Sequence, residues 1–191
     1  MKKQILFAFA LLLSVPFFSA QADVTPSGIH WASSTVNWYH NNASLSSSWR
    51  SAIKSGRTAW TSTGASINYS SQGDTSRTGA VDGRNVWYSQ NLGSGALGTT
   101  YASYNSSTME LSDVDTVLNT YYAWSTSGAS GYYDVQNVST HEWGHWVHLY
   151  DDAWYEYWDS DNTMYGVMGT GETSKRTLTS EDSSAILSVY P

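Results

Sequence analysis

His141-Glu142-Trp143-Gly144-His145-Trp146-Val147-His148-Leu149-Tyr150-Asp151 is the most informative run of the chain. At about 100° and 1.5 Å per residue, His141 and His145 of a helix stand roughly 40° apart on one stripe and about 6 Å apart along the axis. Two imidazoles can then close on one ion. Zinc suits neutral imidazole nitrogen and keeps a position open for water when the protein supplies three ligands. Glu142 lies on the flank of the same stripe, where a carboxylate reaches a water beside the metal without ligating, the position of a general base. The third ligand is to be sought among His148, Asp151 and Asp152. His148 shares the helical face but stands about 10 Å up the axis from His141, too far to complete a tetrahedron. Asp151 can swing back if the helix ends near Leu149, so geometry favours it, with His148 and Asp152 as alternatives.

The plain alternative is an amphipathic helix whose histidines merely hydrogen-bond near the core. Clustering argues against it. Three of the chain's 5 histidines fall in this run, and their stripe also carries Val135, Val138, Trp146 and Leu149. Imidazoles buried among such groups without partners are costly, and an ion relieves the cost.

Outward from this run, the helix is expected from about Asp134 through Leu149, and another starts at Ser180 as N-cap with Glu181 and Asp182 in its first turn, favourable against the helix dipole. Near the other end, Val36 to Tyr39 reads as a strand, and Ser46 to Ser62 as a helix with Trp49, Ile53, Gly56 and Trp60 on one face. Short β-favouring runs follow at Ser66–Tyr69, Asn85–Tyr88, Ala96–Tyr104 and about Ser107–Leu111, separated by turn-forming residues. The expected fold class is α+β: a twisted mixed sheet of four to five strands with three helices.

Length and composition narrow the function. The chain has 191 residues, 9 basic against 16 acidic side chains, and no cysteine. Its acidity argues against nucleic acid or an anionic membrane as partner, since each needs a concentrated basic patch. Without cysteine there is no disulfide framework, thiolate metal site or Cys nucleophile. Lys2 and Lys3, the apolar stretch Ile5–Leu13 and Ala20-Gln21-Ala22 read as a signal peptide cut after Ala22. Ser14 and Pro16 break the apolar stretch before the roughly 20 residues a membrane span needs. Residues 23–191 then form one secreted domain, expected to be monomeric and free of the membrane. With 10 Trp and 14 Tyr, a non-catalytic cell-wall or carbohydrate-binding module is the competing reading, although most of these rings are expected in the core.

The 141–151 run resembles the extended zinc motif of the metzincin metalloproteases, His-Glu-x-x-His-x-x-Gly-x-x-His or Asp, and the chain is most similar to matrixin-like secreted bacterial enzymes. His141, Glu142 and His145 match the invariant positions, and Asp151 matches the third-ligand position, where snapalysins also carry Asp. His148 replaces the family's glycine, and must take up the left-handed backbone by which the chain leaves the helix. Trp31–Tyr69 resembles the opening strand, helix and strand, Ser112–Thr120 the segment before the active-site helix, and Lys175–Tyr190 the closing helix. Thr163-Met164-Tyr165-Gly166 resembles the Met-turn, with Met164 favoured over Met168.

The resemblance implies a zinc-dependent endopeptidase acting on extended peptide or protein substrates, with Glu142 as general base. Substrate would pair along an edge strand, for which Ala96–Tyr101 is the candidate, and within it Ala96, Leu97, Gly98 and Thr99; an interior strand is the alternative. Trp154-Tyr155-Glu156-Tyr157-Trp158 is expected near the pocket wall or over the core. Structural Ca2+ occurs in related enzymes, and Asp74, Asp82, Asp113, Asp115, Asp159 and Asp161 offer carboxylates. None of them has a diagnostic ligand spacing, so solvated turns are the simpler account.

Overall fold

The computed structural model describes residues 24, 26–79, 81–152 and 160–191 in full, and the backbone of residues 7–10. The aromatic run 154–158, Asp159 and the cleavage region around Ala22 lie outside the described residues.

The longest strand, β6 (Glu110–Asn119), sits inside the sheet, with β5 (Gly98–Asn105) antiparallel on one side and β4 (Asn85–Gln90) parallel on the other. Beyond β4 come β2 (Thr35–His40) and β3 (Asn68–Asp74), both parallel. These five strands form the expected mixed sheet. A short sixth, β1 (Phe7–Ala10), pairs antiparallel with the outer side of β5, from Phe7 opposite Ala102 to Ala10 opposite Thr99. It lies within the segment read as leader. A small ribbon of β7 (Trp124–Ser125) and β8 (Tyr133–Asp134) leads into the second helix.

Helix α1 (Ser47–Thr61) starts at Ser46, whose side chain accepts the Trp49 amide, and it buries Ile53, Gly56 and Trp60. Helix α2 (Val135–Trp146) starts at Asp134, which accepts the Asn137 amide. Helix α3 (Ser180–Val189) starts one residue before the expected cap: Thr179 and Asp182 form a reciprocal capping box. The chemistry prevails over the serine next door, because a box satisfies two orphan amides and a lone serine one. Strand β6 also runs on to Asn119, well past the expected Leu111. Its Asp113 and Asp115, which read as loop residues, are buried acceptors for the backbone amides of Gly83 and Val86. Burial raises the Asp113 carboxyl to about 6.

Tryptophans form the heart of the core. Trp38, Trp87, Trp143 and Trp146 pack ring against ring between the sheet and α2, and Trp60 of α1 donates its indole hydrogen bond to the Thr140 carbonyl. All five are fully buried. The helices approach so closely that a Cβ on Gly56 would stand 2.9 Å from the Thr140 amide nitrogen, so α1 can lie there only with glycine at that position. No helix among the described residues is long and apolar enough to cross a membrane.

Candidate metal centre

Three features of the exit from α2 shape the site. The His148 amide bonds the His145 carbonyl and the Leu149 amide bonds the Gly144 carbonyl, the paired bonds of a Schellman ending. His148 occupies the left-handed position of that motif, at φ 57°. The helix therefore stops at Trp146, three residues short of the expected Leu149, because the left-handed residue at 148 ends it, and the chain doubles back. Just beyond, the Asp152 amide donates to the Met164 carbonyl and Asp152 bridges to Tyr165. Asp151 thus lies between the helix ending at Leu149 and the anchored Asp152, with its side chain turned back to the two histidines. Glycine at 166 leaves it room, since a Cβ there would lie 3.3 Å from Asp151 Oδ1.

The three candidate ligand atoms converge. His141 Nε2 and His145 Nε2 are 3.1 Å apart, and Asp151 Oδ1 lies 3.1 Å from the first and 3.5 Å from the second. Both imidazoles are buried. His141 Nδ1 donates to the Thr163 carbonyl and His145 Nδ1 to the Leu149 carbonyl, each at 2.8 Å. A carbonyl only accepts, so the ring proton sits on Nδ1 and the Nε2 lone pairs face one another and the carboxylate. Three acceptors this close repel unless a cation or a shared proton lies among them. Two neutral imidazoles and one carboxylate oxygen are a donor set that zinc takes. His141, His145 and Asp151 are the one such group among the described residues that could hold a metal ion.

Burial pushes the Asp151 carboxyl up, but positive charge at His145 and a proton shared with the His141 and His145 rings outweigh it and hold the group below the usual carboxylate range; a cation among the three atoms would act in the same direction. Asp151 is an anion throughout the neutral region. The two alternatives point elsewhere. His148 Nδ1 meets Ser27 Oγ at 2.5 Å and its ring abuts Tyr104, with burial lowering its pKa to about 4. Asp152 accepts from the Asn162 side chain.

Glu142 is fully buried beside this group. Thr100 Oγ1 donates to its Oε2 at 2.6 Å, while Oε1 has no hydrogen-bond partner among the described residues. Burial raises its carboxyl, opposed by the two imidazoles and by Thr100. Met164 is buried against Gly144 of α2, and its sulfur occupies the space a Cβ on Gly144 would need. Met168 lies nearer the head of the helix, where Asn137 Nδ2 approaches its sulfur at 3.5 Å. Of the candidate substrate residues, Gly98 and Thr99 open β5, and Ala96 and Leu97 precede it with their carbonyls bonded to Asn119.

Sequence reasoning missed several supports. Thr163 and Leu149 act through backbone carbonyls, which no side-chain pattern reveals. Asp182, from α3, accepts the Thr163 and Met164 amides and so carries the turn that orients His141. Thr100 reaches Glu142 across 42 residues of chain. No protein-family model and no curated protein matches this chain.

Proposed function

We propose that the chain is a zinc-dependent endopeptidase of the metzincin type, matrixin-like, with residues 1–22 a cleaved leader and 23–191 a secreted catalytic domain. One observation carries the reading: three acceptor atoms from His141, His145 and Asp151 meet at 3.1–3.5 Å; Glu142, the residue after His141, keeps an unpartnered Oε1. His141, His145 and Asp151 would hold the zinc, which would supply Lewis acidity toward a peptide carbonyl and a water.

The chain's own groups do the rest. Glu142 Oε1 takes a proton from the water that attacks the carbonyl carbon, and delivers it to the amine nitrogen as the C–N bond breaks. No covalent intermediate with the protein is needed. Strand β5 supports the placement of substrate, because Thr100 and Gly98 stand against Glu142 and the outer side of the same strand already pairs with an extended segment, β1. Among the described residues only 7–10 pair with that side of β5, and without them an extended peptide gains backbone hydrogen bonds there.

The binding-module alternative needs a row of accessible rings, and the burial of Trp38, Trp60, Trp87, Trp143 and Trp146 weighs against it. Metal analysis and a protein-cleavage assay test the two together. Purified 23–191 is expected to carry one zinc per chain and to cleave casein in a chelator-sensitive manner. Glu142→Ala is expected to keep the zinc and lose at least about 100-fold in rate. Zinc-free protein that binds glycan, or an E142A variant that cleaves at the wild-type rate, would overturn the reading.

A further inference from the structure

Four buried side chains form a continuous line that ends at Glu142. Trp146 Nε1 donates to Thr116 Oγ1 at 2.8 Å, Thr116 Oγ1 lies 2.7 Å from Thr100 Oγ1, and Thr100 Oγ1 lies 2.6 Å from Glu142 Oε2. The two threonines are direct cross-strand partners on β5 and β6. Glu142 and Trp146 stand one turn apart on α2, so the line closes a ring through two strands and a helix. Every member is fully buried.

The direction of this line follows from its ends. An indole N–H can only donate, an ionised carboxylate can only accept, and each threonine hydroxyl has one proton to give. Between a donor-only and an acceptor-only terminus both hydroxyls must point the same way, from Trp146 through Thr116 and Thr100 to Glu142. The last link is charge-assisted, and aligned neighbours strengthen one another. At the other carboxylate oxygen the surroundings are of the opposite kind. Oε1 has no partner among the described residues, and the missing side chain of Gly98 leaves it space, since a Cβ there would stand 2.5 Å away.

We infer that Thr100, oriented by Thr116 and Trp146, is a positioning residue: it pins Oε2 and so reserves Oε1 for moving the proton. The inference rests on the peptidase reading above, and its substance is the division of labour between two oxygens of one carboxylate. Losing the Thr100 hydroxyl would free the carboxylate to rotate about its last torsion, and a misplaced reacting group costs rate more than binding.

The test uses Thr100→Val, which keeps the branched shape without the hydroxyl, Thr100→Ser, which keeps the hydroxyl, and Thr116→Val, each in the 23–191 chain loaded with zinc. T100V is expected to lower kcat roughly 10- to 100-fold with KM and zinc content unchanged. T116V should fall in the same direction and less far, and T100S should restore most of the rate. In a Glu142→Ala background T100V should cost nothing further, because it acts through Glu142.

A second readout needs no turnover. In metal-free protein the indole N–H resonance of Trp146 should exchange slowly with solvent, shift in T100V and return in T100S. Normal kcat in T100V, equal losses in T100V and T100S, or an indole resonance indifferent to Thr100 would each overturn the positioning role. Failure of the wild-type chain to cleave protein would overturn the peptidase reading itself, and the role with it; active wild type with indifferent T100V overturns the role alone.

Discussion

His148 holds a left-handed backbone at φ 57° that glycine adopts freely, and its ring partly compensates by bonding Ser27 Oγ. The two contributions separate by substitution. His148→Ala loses the ring and keeps the strain, whereas His148→Gly loses the ring and relieves it. The glycine variant should therefore be the more stable by about 1 kcal/mol in urea unfolding; equal stabilities would show that the backbone there carries no strain. At this scale the candidate ligands were legible because helical period is a local rule: residues four apart share a stripe, and a residue six beyond the second histidine can return only if the helix stops. The tethers were not. Thr163 and Leu149 serve through carbonyls, and Thr100 finds Glu142 only after β5 has been laid beside α2, so no spacing along the chain announces them.

Helix α2 depends on an ion pair at its head as much as on its histidines. Asp134 is wholly buried; it caps the Asn137 amide, accepts the Gly128 amide, and takes two bonds from Arg176 in the turn before α3. A buried anion left without its cation is strongly destabilising. Arg176→Met should cost about 3 kcal/mol in urea unfolding, more than a typical surface ion pair; a loss under about 0.5 kcal/mol would assign the pair no more than a surface role. The elements themselves were mostly readable from period and turn chemistry, including β2, α1, β4 and α2. Strand β6 was cut short because Asp113 and Asp115 look like solvated turn residues. They are tolerated inside the sheet because the loop before β4 turns the Asp82 and Gly83 amides onto Asp113 and β4 itself offers the Val86 amide to Asp115, a long-range arrangement with no local signature.

For the molecule as a whole, a cation bound by the folded state and not by the unfolded chain adds stability by mass action. At a free concentration about 100 times its dissociation constant the gain is about 2.7 kcal/mol. Chelation should thus lower the melting temperature by roughly 5–10 °C for a domain of this size, zinc should restore it, and the metal-free His141→Ala variant should be indifferent to chelator. A chelator-insensitive wild type would deny the site a cation. The α+β class was foreseeable, since one strand and one helix are followed by a run of strands and then by two helices. The lacing of distant segments was not. Trp31 donates its indole N–H to the Trp146 carbonyl at the end of α2 and its amide to the Tyr190 hydroxyl. The turn that orients His141 hangs from Asp182 of the last helix.

That lacing has a consequence for biosynthesis. One imidazole is steered by a carbonyl whose own support comes from residue 182, and the segment strapped across the helix exit is held by residue 190, so a polypeptide still emerging from the ribosome lacks the parts that aim its ligands. Until residues 182 and 190 have been translated and have left the ribosome, the nascent chain cannot hold the two imidazoles in this arrangement, so the candidate centre assembles only after synthesis has passed them.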